Sequence, residues 1–229
     1  MCVPVSGFAA MIDGAPRLWI GDTDSHSETA DQYRLRDTGY RLVAWECYPR
    51  VDAPSPDTGT WVYALDSRAT EGMERAGCYT PDELAEIEAA VRRECRRYVL
   101  AEGVVEAVKR GRLFVFGSSR VSTVAGGRVR AYDSARVGTV TGGRVRAYGA
   151  ARVGAVRGGE VRAYGAARVG AVTGGRVRAY GAARVGSVTG GRVWAYDSAR
   201  VGSVAGGGVV AWDSARVGSV AGGGVVAWD

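Results

Sequence analysis

The sequence predicts a mainly β protein: a β-solenoid of about eight coils with 16 residues per coil, an α-helical N-terminal cap and a small α+β head. Three observations carry this expectation. Aromatic residues recur every 16 positions without a slip, at Phe116, Tyr132, Tyr148, Tyr164, Tyr180, Tyr196, Trp212 and Trp228. Valine columns keep the same register, from Val121 to Val217, from Val124 to Val220 and from Val129 to Val225. Charge divides the chain: residues 1–110 carry 13 basic and 19 acidic groups, whereas residues 111–229 carry 17 and 5. An acidic front and a basic repeat read as separate structural units, which the overall net charge of +6 conceals.

In chain order, the acidic head covers residues 1–80. Residues 39–48 and 60–65 read as strands around a loop, 49–59, that is rich in Pro, Asp and Gly. Arg41-Leu42-Val43-Ala44-Trp45-Glu46 echoes Gly208-Val209-Val210-Ala211-Trp212-Asp213 of the repeat, so these strands are either degenerate coils or a chance likeness of Val/Ala-rich segments. Residues 81–103 form the cap. Thr80-Pro81-Asp82-Glu83 is a capping box with Pro in the first helical position. Leu84, Ile87, Val91 and Tyr98 follow at helical spacing, and Gly103 closes the run. A helix is expected over 81–101, its apolar stripe covering either the first coil or the head.

The basic solenoid occupies residues 104–229. In Arg144-Val145-Arg146-Ala147 polar and apolar residues alternate, as a strand with one buried face requires. Gly142-Gly143 and Asp133-Ser134 supply corners. Val145, Ala147, Ala151 and Val153 are expected inside, with Arg144, Arg146 and Arg152 outside. A helical reading fails, because a Gly pair in every repeat costs a helix roughly 2 kcal/mol relative to Ala. Coils spaced by ~4.8 Å would make a rod about 38 Å long.

The composition excludes several classes. Apolar residues make up 46% of the 229, too many for general disorder. No apolar run approaches the ~18 residues that span a bilayer, and Asp13 interrupts the apolar start, a poor secretory signal. A cytoplasmic location is the resulting expectation, with Cys2, Cys47, Cys78 and Cys95 as thiols. Only one of the 30 basic residues is Lys, Asn is absent and Gln occurs once, a bias that looks like GC-rich coding. Arginine abundance alone therefore says little about function.

The cadence Ala-Tyr-Gly or Ala-Tyr-Asp followed by a small residue, as in Ala147-Tyr148-Gly149-Ala150, resembles the repeats of bacterial ice-nucleation proteins over residues 104–229. The resemblance implies a 16-residue β-solenoid with a tyrosine ladder. That family's water-organising face carries Thr-x-Thr, where this chain has Arg128-Val129-Arg130, Arg144-Val145-Arg146 and Arg176-Val177-Arg178, so ice activity is disfavoured. The family also has terminal arginine-bearing coils associated with multimerisation, and this tail looks more like those.

Catalytic chemistry finds few candidates. His26, the sole histidine, lies in Asp24-Ser25-His26-Ser27 and reads as an ordinary loop residue. The cysteine spacing matches no zinc motif, and no metal or other cofactor is expected. Cys95 reads as core, and an enzymatic head would use Cys2, Cys47 or Cys78 as nucleophile.

Two surface features remain. One arginine column runs Arg120, Arg136, Arg152, Arg168, Arg184, Arg200 and Arg216; another face carries Arg128, Arg144, Arg176 and Arg192 beside Arg130, Arg146, Arg162 and Arg178. These are candidate anion-binding residues, for nucleic acid or another polyanion, unless they only solubilise the rod. Towards the C-terminus Arg-x-Arg becomes Gly208-Val209-Val210 and Gly224-Val225-Val226, and Trp replaces Tyr. Trp194, Val210, Trp212, Val226 and Trp228 are thus candidate self-association residues. The leading expectation is a non-enzymatic structural and interaction protein that forms a homo-oligomer, an end-to-end dimer, through its C-terminal coils, with an unidentified protein partner for the head and no membrane. The alternative is an arginine-ladder solenoid that binds a polyanion.

Overall fold

Short β-branched segments separated by glycine corners can bury their valines only by stacking on copies of themselves. The chain does this throughout residues 99–229, the second of its two compact units; the first is residues 1–98. The structure is a computed structural model that describes residues 5–21, 25–38, 40–50, 52–66 and 79–228.

In the second unit, each coil contributes one strand to each of two parallel sheets. One sheet is built from β6 (Val104–Val108), β8 (Arg120–Val124), β10 (Arg136–Val140), β12 (Arg152–Val156), β14 (Arg168–Val172), β16 (Arg184–Val188), β18 (Arg200–Val204) and β20 (Arg216–Val220). The other begins with β5 (Val99–Leu100) and continues through β7 (Arg112–Val115), β9 (Arg128–Ala131), β11 (Arg144–Ala147), β13 (Glu160–Ala163), β15 (Arg176–Ala179), β17 (Arg192–Ala195), β19 (Gly208–Trp212) and β21 (Gly224–Trp228). Residues 16 apart pair throughout, for example Arg136 with Arg152 and Val145 with Val161. This is the expected solenoid of eight coils, preceded by one short strand.

Its core is a file of Val and Ala. Val145, Ala147, Ala151 and Val153 are at most 2% exposed, while Arg144 and Arg152 are exposed and Arg146 is half-buried. Asp133, Asp197 and Asp213 take φ of 57° at the corner where other coils have Gly149, Gly165 and Gly181, a left-handed position that Asp tolerates. The strands that begin with the exposed arginine column depart from simple alternation. Val137 and Val140 both face inward although three residues apart, and the pairing skips Gly138. A Cβ on Gly138 would lie 2.5 Å from the Ser122 carbonyl oxygen, so only glycine fits there.

The first unit holds an antiparallel sheet, ordered β2-β1-β3-β4, made from β1 (Val5–Ile12), β2 (Ala15–Ile20), β3 (Val43–Tyr48) and β4 (Val62–Leu65). β1 and β2 form a hairpin over Asp13-Gly14, whose φ angles of 52° and 74° are those of a two-residue turn. The strands expected at 39–48 and 60–65 are β3 and β4, but they pair antiparallel, Trp45 opposite Leu65. Their likeness to the coils is one of composition, since every coil pairs in parallel.

Helix α1 (His26–Gln32) packs on β1, and α2 (Pro81–Cys95) carries the expected capping box at Thr80 and Glu83. α2 neighbours β1, β2 and β3, with Ile87, Val91 and Cys95 fully buried. It is shorter than the 81–101 expected. A 3-10 turn follows at Arg96–Tyr98, and Val99-Leu100 is drawn into the first strand of the solenoid, opposite Phe114 and Val115.

Candidate functional site

The repeat fixes one arginine per coil at the start of each even-numbered strand from β8 to β20. Parallel pairing then aligns Arg120, Arg136, Arg152, Arg168, Arg184, Arg200 and Arg216 in register. All seven are exposed, and none forms an ion pair with a described residue. Six of them, Arg120 to Arg200, border a groove of about 600 Å³ whose floor is Gly138, Gly154, Gly170, Gly186 and Gly202, with Val137, Val153, Val169 and Val185 alongside. The glycine column that close coil stacking demands thus leaves a lane without side chains beside the guanidinium groups. Sequence reasoning found the arginines but missed the lane; the signal was the Gly recurring two residues after each Arg from Gly138 onward.

The second arginine face differs. Glu160 stands opposite Arg144 and Arg176 in the pairing and bonds three guanidinium groups: Arg162 Nε at 2.9 Å, Arg178, and Arg144 Nε at 3.9 Å. Burial works against the Glu160 charge, but the hydrogen bond from Arg162 and the fields of Arg178 and Arg144 outweigh it and hold the carboxyl below its usual range. A cleft of about 610 Å³ lies here between Arg144, Glu160, Arg176 and Arg192. Arg128 is half-buried, and Arg130 is 5% exposed with its guanidinium over the Phe114 ring at 5.4 Å. Arg178 lies likewise over Trp194, at 5.4 Å. This face is partly neutralised and partly engaged in its own packing.

The aromatic ladder stacks from Phe116 through Tyr196 at centroid spacings of 4.8 to 5.1 Å, the rings nearly parallel, and Trp212 stacks on Trp228 at 5.7 Å. Each inner tyrosine has both ring faces covered by its neighbours. Those faces are closed to an intercalating base, so tyrosine stacking adds nothing to a nucleic-acid surface here.

The candidate self-association residues fall into two files. Trp194, Val210 and Val226 share one register position, and Trp212 and Trp228 share another. Trp212, Val226 and Trp228 are 38%, 46% and 53% exposed, whereas Trp194 and Val210 are half-buried.

In the head, His26 is no loop residue. It opens α1, is 8% exposed and sits edge-on to Phe8. Cys47 and Cys95 are both fully buried and interact across β3 and α2. That interaction, opposed by burial and helped by Arg92, lowers the Cys47 thiol; the same interaction and burial raise Cys95. A nucleophile at Cys47 would have no access to solvent, while Cys2 and Cys78 lie outside the described residues. Among the described residues no helix is long and apolar enough to cross a membrane.

No protein-family model, curated protein or solved structure matches the chain. Its likeness to ice-nucleation repeats is a likeness of fold, a solenoid with 16 residues per coil, and extends no further.

Proposed function

We propose that the solenoid is a non-enzymatic scaffold that binds a polyanion, of the nucleic-acid class, along the column from Arg120 to Arg216. The observation that carries this reading is the unneutralised row of seven in-register arginines, six of which border a glycine-floored groove. Like charges ~5 Å apart repel by about 1 kcal/mol per pair even in water. A row of phosphates relieves that repulsion, and each guanidinium can grip a phosphate with two donors. The contrast with the Glu160 face supports the choice of column, because there an internal carboxylate already does the neutralising.

The test is a mobility-shift titration of the full chain with duplex and single-stranded DNA and RNA at two salt concentrations. Binding should weaken steeply with salt, and replacing Arg152, Arg168 and Arg184 together by Ser should flatten the salt dependence by roughly two to three powers of salt concentration. No shift at low salt overturns the proposal.

A second reading rests on a different observation, the exposed Trp212, Val226 and Trp228. Such apolar exposure favours self-association of this chain. Val210→Arg with Val226→Arg should then give monomers by light scattering, and an unchanged mass overturns it.

A further inference from the structure

Ser25 caps α1, its hydroxyl accepting from the Glu28 amide, and thereby makes His26 the first residue of the helix, packed against Phe8 at 5.5 Å. The imidazole Nε2 lies 3.2 Å from the carbonyl oxygen of Trp45 in β3. A carbonyl can only accept, so Nε2 carries the proton and donates it. In the neutral ring this leaves the Nδ1 lone pair directed to the other side. There it faces Asp66 Oδ2 at 3.4 Å. Glu46, next to Trp45 on β3, brings a third donor, and one ligand atom from each of the three residues lies within 4.8 Å of the others.

We propose that His26, Glu46 and Asp66 bind a divalent transition-metal ion of the zinc class through Nδ1 and one carboxylate oxygen from each acid. The composition suits such an ion: one imidazole and two carboxylates, with a position left for water. The scale suits it too. Tetrahedral zinc with bonds of ~2.0–2.1 Å has ligands about 3.4 Å apart, which is the His26 to Asp66 separation already present. The remaining separations are within 4.8 Å. An outer-shell carbonyl that fixes the imidazole tautomer is what a ligating histidine requires, and Trp45 supplies it from a fully buried position. The donors are rigidly mounted: His26 on a capped helix, Glu46 within a paired strand, and Asp66 through its amide to the Ala44 carbonyl at 2.9 Å. Asp66 is 35% exposed, which gives the ion a way in from solvent.

The alternative is a histidine cation paired with Asp66, and the test separates the two. The full-length protein, stripped with a chelator, is titrated with Co²⁺ and followed by visible absorption, then challenged with Zn²⁺. One Co²⁺ per chain is expected, with ligand-field bands, no thiolate charge-transfer band, and displacement by Zn²⁺. Asp66→Asn and Glu46→Gln should each weaken binding roughly tenfold or more. Both leave the backbone pairing in place, and unchanged circular dichroism verifies that they fold. Absence of Co²⁺ uptake, a thiolate band, or undiminished uptake in both folded variants overturns the proposal.

Discussion

Arg136 and Arg152 occupy the same place in neighbouring parallel strands, side by side, exposed, and without a described ion-pair partner. Valine and glycine packing imposes this proximity, and the guanidinium groups meet it only with solvent and counterions. The solenoid therefore holds a standing repulsion that any anion able to span several coils would relieve.

Polyphosphate or a nucleic acid should accordingly raise the unfolding temperature of the protein, in proportion to the logarithm of its concentration above Kd. Differential scanning calorimetry measures this directly. The Arg152, Arg168 and Arg184 triple Ser variant should start from an equal or higher midpoint and gain less from the polyanion.

Gly154→Ala should destabilise the solenoid by about 1–3 kcal/mol. Its Cβ would stand 2.6 Å from the Gly138 carbonyl oxygen, a backbone atom that cannot turn aside. Denaturant unfolding of the variant against the parent chain measures the loss; an equal midpoint would show that neighbouring coils can part without penalty.

Glu160→Gln should cost about 1 kcal/mol at neutral pH, since three arginines lose their shared acceptor charge. The carboxyl is held below its unfolded value, so its contribution is present above about pH 4.3 and is lost as pH falls through the folded value. The gap between variant and parent in urea unfolding should narrow on acidification. The same variant should bind a polyanion more tightly if the second face takes part, and equally if the first column acts alone.

Alkali should also weaken the fold. Burial, reinforced by Tyr164 and Tyr196, raises the Tyr180 phenol above its ordinary value, and Tyr63 is raised likewise by burial. Stability from these neutral phenols is complete below about pH 10 and is lost as pH climbs through the folded values. Tyrosinate absorbance and thermal unfolding, followed together, should show the two changes in step. Tyr180→Phe keeps the stacked ring and should flatten part of the response.

The solenoid was legible in the sequence because every coil restates the same solution: Val145 and Val161 pair because each needs the other's shelter. The helix at Pro81 was equally plain, since its capping box is purely local. The head was harder to read. Residues 5–8 are buried without a break, so β1 lacks the alternation that marks a half-exposed strand; Asp13-Gly14 was its available signal. His26 looked like a loop residue because its surroundings in sequence are polar, yet Ser25 and Glu28 stand at capping-box spacing and announce a helix. The meeting of His26 with Glu46 and Asp66, and of Cys47 with Cys95, depends on tertiary pairing that no local pattern encodes.

Residues 198–213 and 214–229 are letter-for-letter the same. Each such block brings its own rung of the basic track, its own piece of floor and its own pair of corners. Loss or gain of one block in the gene would therefore change the reach of the track by a single step of ~4.8 Å while leaving every other rung untouched. Under the proposed function, the length of polyanion preferred would follow the number of whole blocks, a quantity that recombination can tune without a single point mutation.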